Sequence, residues 1–255
     1  MEFDVRSHWN SVATAISTRN SGTKLAGYDS VLDRYSRAEF LKYFRQIDVR
    51  GKEIMEIGSG SGLNLQVLDE SKPSSITAVD ISEKMLELAK ASLKEAHSPS
   101  KFIHIDGRNI PLPPKSVDYA FTVTVLQHNS NVPALKDLAK SIASIVRERI
   151  YLFEDTAPRE KGTPDYMLRP VEFYRGLFET QGFRLVETKY ISIYYTQKLF
   201  SLFNRMTGLY SKKEGASSSA WERWLQYPFL PLTRAFDKLL PRREGNTLMV
   251  FERIG

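Results

Sequence analysis

Strand-like and helix-like segments alternate between residues 52 and 195, which predicts an α/β protein built on a doubly wound, mostly parallel sheet. Two stretches carry the prediction. At 52–62 a buried-strand run containing Ile54, Met55 and Ile57 feeds a turn with glycine at every second position, and a helix pattern follows at 63–68. At 74–80 a second short apolar run ends in an acid, Asp80, after which Ser82 is placed to cap a helix carrying Leu86, Ala89 and Leu93. A backbone without Cβ can turn sharply and lets a ligand approach its N–H groups, and the turn here also presents a helix N-terminus. Such a place suits a nucleotide-like ligand.

Composition sets bounds on the rest. Of 255 residues, 42% are hydrophobic and 26% charged, ordinary for a globular chain with a substantial core. With no cysteine, disulfide frameworks, thiolate nucleophiles and cysteine metal sites are excluded, and a cytoplasmic location is expected. The start, Met1 to Arg6, has no apolar core of a signal peptide, and no apolar run approaches transmembrane length. The net charge of +6 is concentrated: residues 196–244 hold nine Lys/Arg against four acids, a balance of +5.

In chain order, residues 1–50 read as a helical cap. Trp9, Val12 and Ile16 share one helical face, a loop with Gly22 and Gly27 follows, and 29–44 repeats apolar residues near a 3.6 period. After the two βαβ strands, Lys101 to Arg108 reads as a third strand closing on Asp106, and Val117 to Val125 as a fourth leading into Leu126-Gln127-His128. Leu135 to Val146 is an amphipathic helix, and Arg149 to Asp155 a fifth strand whose terminal acids, Glu154 and Asp155, suit a base; with no further His or Asp nearby, no metal site is expected. Pro170 opens a helix that stops at Gly182, Phe183 to Tyr195 reads as a long alternating strand, and Asn246 to Arg253 as the last.

The pattern Glu56-x-Gly58-x-Gly60-x-Gly62 departs from the dinucleotide fingerprint, because Leu63 stands where that fingerprint wants its third glycine. It resembles motif I of the class I S-adenosylmethionine (SAM) dependent methyltransferases, and the passage Asn109 to Tyr119 resembles that family's proline-rich entry to its fourth strand, with Pro114 and Lys115 replacing the usual aromatic. The resemblance covers roughly 50–195 and 246–253 and implies a seven-stranded sheet whose last two strands are neighbours, the seventh antiparallel. It implies SAM as cofactor, with Glu56, Gly58, Ser59, Gly60, Gly62, Ile81, Gly107, Arg108 and Thr124 around it. Asp80 is expected on the ribose hydroxyls, since a carboxylate accepts from both at once, and Asp106 on the adenine amine, with a turn-capping role as its alternative. An arginine of the cap, Arg37 or Arg34, would meet the SAM carboxylate. His128, beside the transferring methyl, is the candidate general base, with a cofactor or structural contact as its alternative.

The expected organisation is therefore a cap at 1–50, a SAM-binding core at 51–195, a helical lid at 196–244 and the last core strand at 245–255. The insertion offers apolar helix faces (Leu199, Leu202, Phe203, Met206, Leu209; Trp221, Trp224, Leu225; Leu232, Phe236, Leu239, Leu240), a linker at 211–219 and a capping box at Ser219 to Glu222. A lid over the cleft, a homodimer contact and a peripheral membrane contact all fit this mixture. The function implied is methyl transfer to a small-molecule acceptor, a sugar or lipid-linked acceptor among them. The alternatives are an RNA methyltransferase, disfavoured by the mixed charges and the lack of an RNA-binding module, and a non-catalytic scaffold, disfavoured by the intact glycines and acids.

Overall fold

The computed structural model describes residues 4–19, 30–206 and 220–255. Its sheet has seven strands: β1 (Glu53–Ile57), β2 (Ser75–Asp80), β3 (Ser100–His104), β4 (Val117–Val123), β5 (Val146–Thr156), then, beyond a small hairpin of β6 (Lys161–Thr163) and β7 (Tyr166–Leu168), β8 (Phe183–Tyr190) and β9 (Gly245–Arg253). Their order is β3-β2-β1-β4-β5-β9-β8, with β9 antiparallel to both neighbours and the rest parallel, as expected. The strand order reverses at β1, whose neighbours are β2 and β4. Ile57 pairs with Val79 on one side and Thr122 on the other, so three carboxyl ends finish level. Open α/β sheets bind ligands at this switch point.

Both faces are covered, which is why the inner strands read as nearly unbroken apolar runs. Met55 and Ile57 pack with α5 (Val132–Ile145) and α6 (Val171–Glu179). On the other face, Ile54, Phe121 and Phe153 meet Phe40 and Phe44 of α2 (Val31–Phe44) and Leu65 and Leu68 of α3 (Leu63–Asp69). The cap pairs α2 with α1 (Val5–Ser17), which lays Val12, Ala13 and Ile16 against Met85 of α4 (Glu83–Ser92). Capping is local and complete on α2: Ser30 and Asp33 satisfy each other's backbone N–H groups.

One reading from sequence is corrected. The strand expected at 183–195 ends at Tyr190, because Ile191 and Ile193 turn into the core and the buried Asp237 carboxylate accepts from Tyr195 N at 2.7 Å. That distant cap starts α7 (Tyr194–Met206). The described part of the insertion contains α7, α8 (Ala220–Gln226) and α9 (Leu230–Leu239). It packs on α2 and the sheet face behind it, where Leu230 joins the core and Arg234 lies over the Tyr35 ring at 5.3 Å. The loop at Gly22 and Gly27, the 211–219 linker and the capping box at Ser219 fall outside the described residues.

Candidate active site

A cavity of about 500 Å³ opens at the carboxyl ends of β1, β2 and β4. Its roof is the cap, through Val5 and Trp9 of α1 and Ser36, Arg37 and Phe40 of α2; none of the described residues of 196–244 lines it. Among the described residues, the cover of this cavity comes from α1 and α2. Arg37, Gly58, Ser59, Gly60, Asp80, Ile81, Asp106, Gly107, Arg108, Thr124 and His128 all line the cavity, whereas Glu56, Gly62 and Arg34 do not.

Two glycines shape the cradle for different reasons. A Cβ on Gly58, whose φ is +65°, would stand 2.4 Å from Val125 Cγ2, so the turn packs against the loop after β4. In front of Gly60 there is open space, so a ligand can reach its backbone. Gly62 serves packing instead, with a Cβ there meeting Ala89 Cα of α4 at 3.1 Å. Asp80 locks the turn: Oδ2 accepts from Gly60 N and Oδ1 from Ser82 N, each at 2.9 Å. Burial pushes the Asp80 carboxyl up, and the backbone donors at Ser82 and Gly60 pull it back. The buried Ser59 hydroxyl has no hydrogen-bond partner in the protein.

Beneath the turn runs a relay that sequence reasoning missed. Asn64, one residue into α3, donates to Glu56 Oε1 at 2.6 Å and accepts from Arg37 through its own carbonyl. Glu56 is fully buried, its Oε2 has no partner, and burial lifts its pKa to about 8. It therefore sits behind the wall and positions Asn64 and Arg37, which do line the cavity. Asp106 caps its own turn through one oxygen: Oδ1 accepts from Arg108 N at 2.8 Å and Asn109 N at 2.9 Å, and these bonds hold its carboxyl below the usual range.

The loop after β4 is held from two sides. Glu154, fully buried on β5, accepts from Thr122 Oγ1 at 2.8 Å, Val125 N at 3.2 Å and Gln127 N at 3.3 Å. Arg169, also fully buried, donates to the carbonyls of Leu126 and Asn129 at 3.1 and 2.7 Å. Glu154 takes the loop's N–H groups and Arg169 its C=O groups. Glu154 thus acts as an internal brace, and among the described residues no acid or histidine cluster suits a metal ion. The brace holds Thr124 at φ +55°, a left-handed backbone that a β-branched residue adopts only when its surroundings impose it.

His128 follows in a single 3₁₀ turn, edge-on to Trp9 at 5.3 Å and to Tyr166 at 5.5 Å. Its Nδ1 lies 2.9 Å from the Asp165 carbonyl. A carbonyl only accepts, so Nδ1 carries the proton and, in the neutral ring, the lone pair lies on Nε2. Asp165 and Tyr166 come from the β6–β7 hairpin, which the sequence reading passed over although Gly162-Thr163-Pro164-Asp165 is a turn signal. Tyr166 donates its hydroxyl to Asp155 Oδ2, and burial beside that carboxylate pushes the phenol up. Asp155 is the second acid of the pair at the end of β5, and Asn246 completes this corner of the lining.

The comparisons agree with this geometry. Residues 54–149 match the family model described as a methyltransferase domain. The bifunctional biotin biosynthesis protein BioHC of Cellvibrio japonicus is 31% identical over 144 residues, covering 53% of this chain and 28% of that protein's length. The ubiquinone biosynthesis O-methyltransferase of Coxiella burnetii is 26% identical over 169 residues, covering 58% and 70%. Among solved structures, magnesium protoporphyrin IX methyltransferase of Synechocystis superposes with a TM-score of 0.61 over 98% of each chain at 16% identity, a likeness of fold. A sheet with one antiparallel strand, a glycine turn clasped by Asp80 at its switch point and a matching domain model lead to one assignment: residues 54–149 carry a methyltransferase domain, set in a chain with the fold of the class I SAM-dependent methyltransferases.

Proposed function

We propose that this cleft binds SAM and that the chain transfers the methyl group to an oxygen of a small, largely apolar acceptor. The cradle suits the cofactor. Open space at Gly60, the unpartnered Ser59 hydroxyl and the remaining lone pairs of Asp80 offer donors and acceptors for a nucleoside. Arg37, held by Asn64, is placed for the cofactor's carboxylate, Asp80 for its ribose, and Asp106 with Gly107 for its adenine. When bound, SAM supplies a methyl on a cationic sulfur, and transfer to an acceptor hydroxyl breaks the C–S bond, forms the C–O bond and frees the hydroxyl proton.

The observation that carries the oxygen acceptor is the fixed tautomer of His128. With Nδ1–H engaged by Asp165, Nε2 takes the acceptor's proton and later passes it to solvent. Trp9 against His128, with Val5 one helical turn earlier, gives this end of the cleft an apolar wall. Relatives named for ubiquinone and biotin biosynthesis support a small-molecule acceptor. The remaining contribution of the protein is positioning and exclusion of water.

The test is methyl transfer from SAM to a panel of phenols and apolar alcohols. His128→Ala should lower turnover by about 10²–10⁴ with SAM affinity little changed. Turnover preserved at saturation, with SAM affinity lost, would make His128 a cofactor contact instead.

A further inference from the structure

Most of the large hydrophobic side chains that stand well exposed lie in one place. Apart from Val186 and Ile254, all of them among the described residues fall between Leu199 and Leu240. On α7, Leu199, Leu202 and Met206 form one strip, flanked on the helix by Lys198 and Arg205, while Thr196 and Phe200 face inward. On α8, Trp221 and Trp224 stack at 6.4 Å with 63% and 70% of their surface exposed. An apolar groove of about 130 Å³ joins the two regions, lined by Leu199, Phe200, Leu202, Met206, Gln226 and Phe229.

Helix α9 inverts the usual amphipathic arrangement. Its inward residues are polar, Thr233 and Asp237 at 1% exposure each, and Leu232, Phe236 and Leu239 point outward. Asp237 ties it to the body through Thr196 and the backbone of Tyr195. Beyond Leu230 at its start, polar contacts rather than apolar burial hold this helix down. Its polar anchor presents an apolar face to the outside.

The charge of the segment selects what that face meets. Residues 196–244 carry +5 of the chain's +6, and among the described residues Asp237 is engaged inside the fold and Glu244 by Lys161 at 3.9 Å. Exposed aliphatic strips beside Lys and Arg, with paired tryptophans and a tyrosine, match an interface that is apolar at its centre and anionic at its rim. We propose that the α7–α9 face seats on an anionic lipid bilayer without crossing it. No described helix is long and apolar enough to span a membrane. The docked face shares α2 with the cleft, because Arg234 of α9 stacks on Tyr35 and the same α2 carries Arg37.

The test uses the full chain and needs no methyl transfer, so it stands apart from the acceptor reading. Flotation is measured with phosphatidylcholine vesicles, with and without phosphatidylglycerol, at low and high salt. The chain should float with the phosphatidylglycerol vesicles only, and less so as salt rises. The double change Trp221→Ser, Trp224→Ser should lower that partition at least about tenfold, and Lys198→Glu with Arg205→Glu should abolish the lipid preference. Unchanged S-adenosylhomocysteine affinity checks that each variant is folded. If the tryptophan variant fails that check, quenching of the native tryptophans by brominated lipid decides, and absence of quenching counts against the proposal. Absence of wild-type binding at low salt overturns it, as does a self-association abolished by the tryptophan changes without vesicle binding, which would assign the face to a second copy of the chain.

Discussion

Glu154 braces the loop that carries Thr124 and His128, and its protonation makes that brace measurable. Burial raises its pKa from 4.5 to about 7, with the hydrogen bonds from Thr122 and the loop backbone pulling the other way. The folded pKa lies above the unfolded one, so between these values the folded protein keeps a proton that the unfolded chain has released. Stability from this group is therefore fully present below pH 4.5 and lost as pH rises through about 7. At roughly 1.4 kcal/mol per pH unit, the loss is about 3 kcal/mol, without a discount for exposure because the side chain is buried. Glu154→Gln is neutral at every pH. It keeps an oxygen for Thr122 and Val125 but sets an amide against Gln127 N, at a cost of about 1 kcal/mol. Urea unfolding of both proteins at half-unit steps from pH 4 to pH 8 should show the variant about 1 kcal/mol less stable at the acid end and about 2 kcal/mol more stable at the alkaline end. The buried Glu56 contributes equally to both curves and cancels. Parallel curves across the range would mean that Glu154 is charged in the fold and that burial does not raise its proton affinity.

Two further substitutions probe the cradle and the acceptor corner. Gly58→Ala puts a Cβ against Val125 at φ +65°, so stability should fall by about 1–3 kcal/mol and SAM affinity by roughly tenfold or more, by urea unfolding and calorimetry; wild-type values would show that the turn adjusts freely. Tyr166→Phe removes the hydroxyl that Asp155 accepts from, so stability should fall by about 1–3 kcal/mol and methyl transfer should slow while SAM affinity holds; an unaltered enzyme would remove the hairpin from the account.

What could be read from sequence was local. The glycine turn, Asp80 and the switch from strand to helix at Ser82 each depend on neighbours within a few residues, and the structure shows Asp80 clasping Gly60. The seven-stranded sheet, with its last two strands neighbours and the seventh antiparallel, followed from the family resemblance and holds. What escaped depends on pairs distant in sequence. Asp237 ends the β8 segment and starts α7 from 42 residues away, so the alternating pattern at 183–195 overran its strand. Arg169 braces carbonyls 40 and 43 residues earlier, and nothing near it in sequence marks it. The insertion looked like a lid because its apolar faces need cover. Its polar anchor, Asp237 with Thr196, becomes visible only once α7 and α9 are side by side.

If the switch-point cleft is a SAM site clasped by Asp80, isothermal titration will distinguish S-adenosylhomocysteine from NADH, the competing nucleotide. The wild-type chain should bind S-adenosylhomocysteine saturably and NADH not at all. A folded Asp80→Ala variant should bind S-adenosylhomocysteine roughly 10–100-fold more weakly, or by about 1–3 kcal/mol, because the ribose hydroxyls lose their acceptor. Wild-type protein that gives no binding heat with S-adenosylhomocysteine, or a folded Asp80→Ala variant that binds it as tightly as the wild type, would contradict this assignment of the cleft.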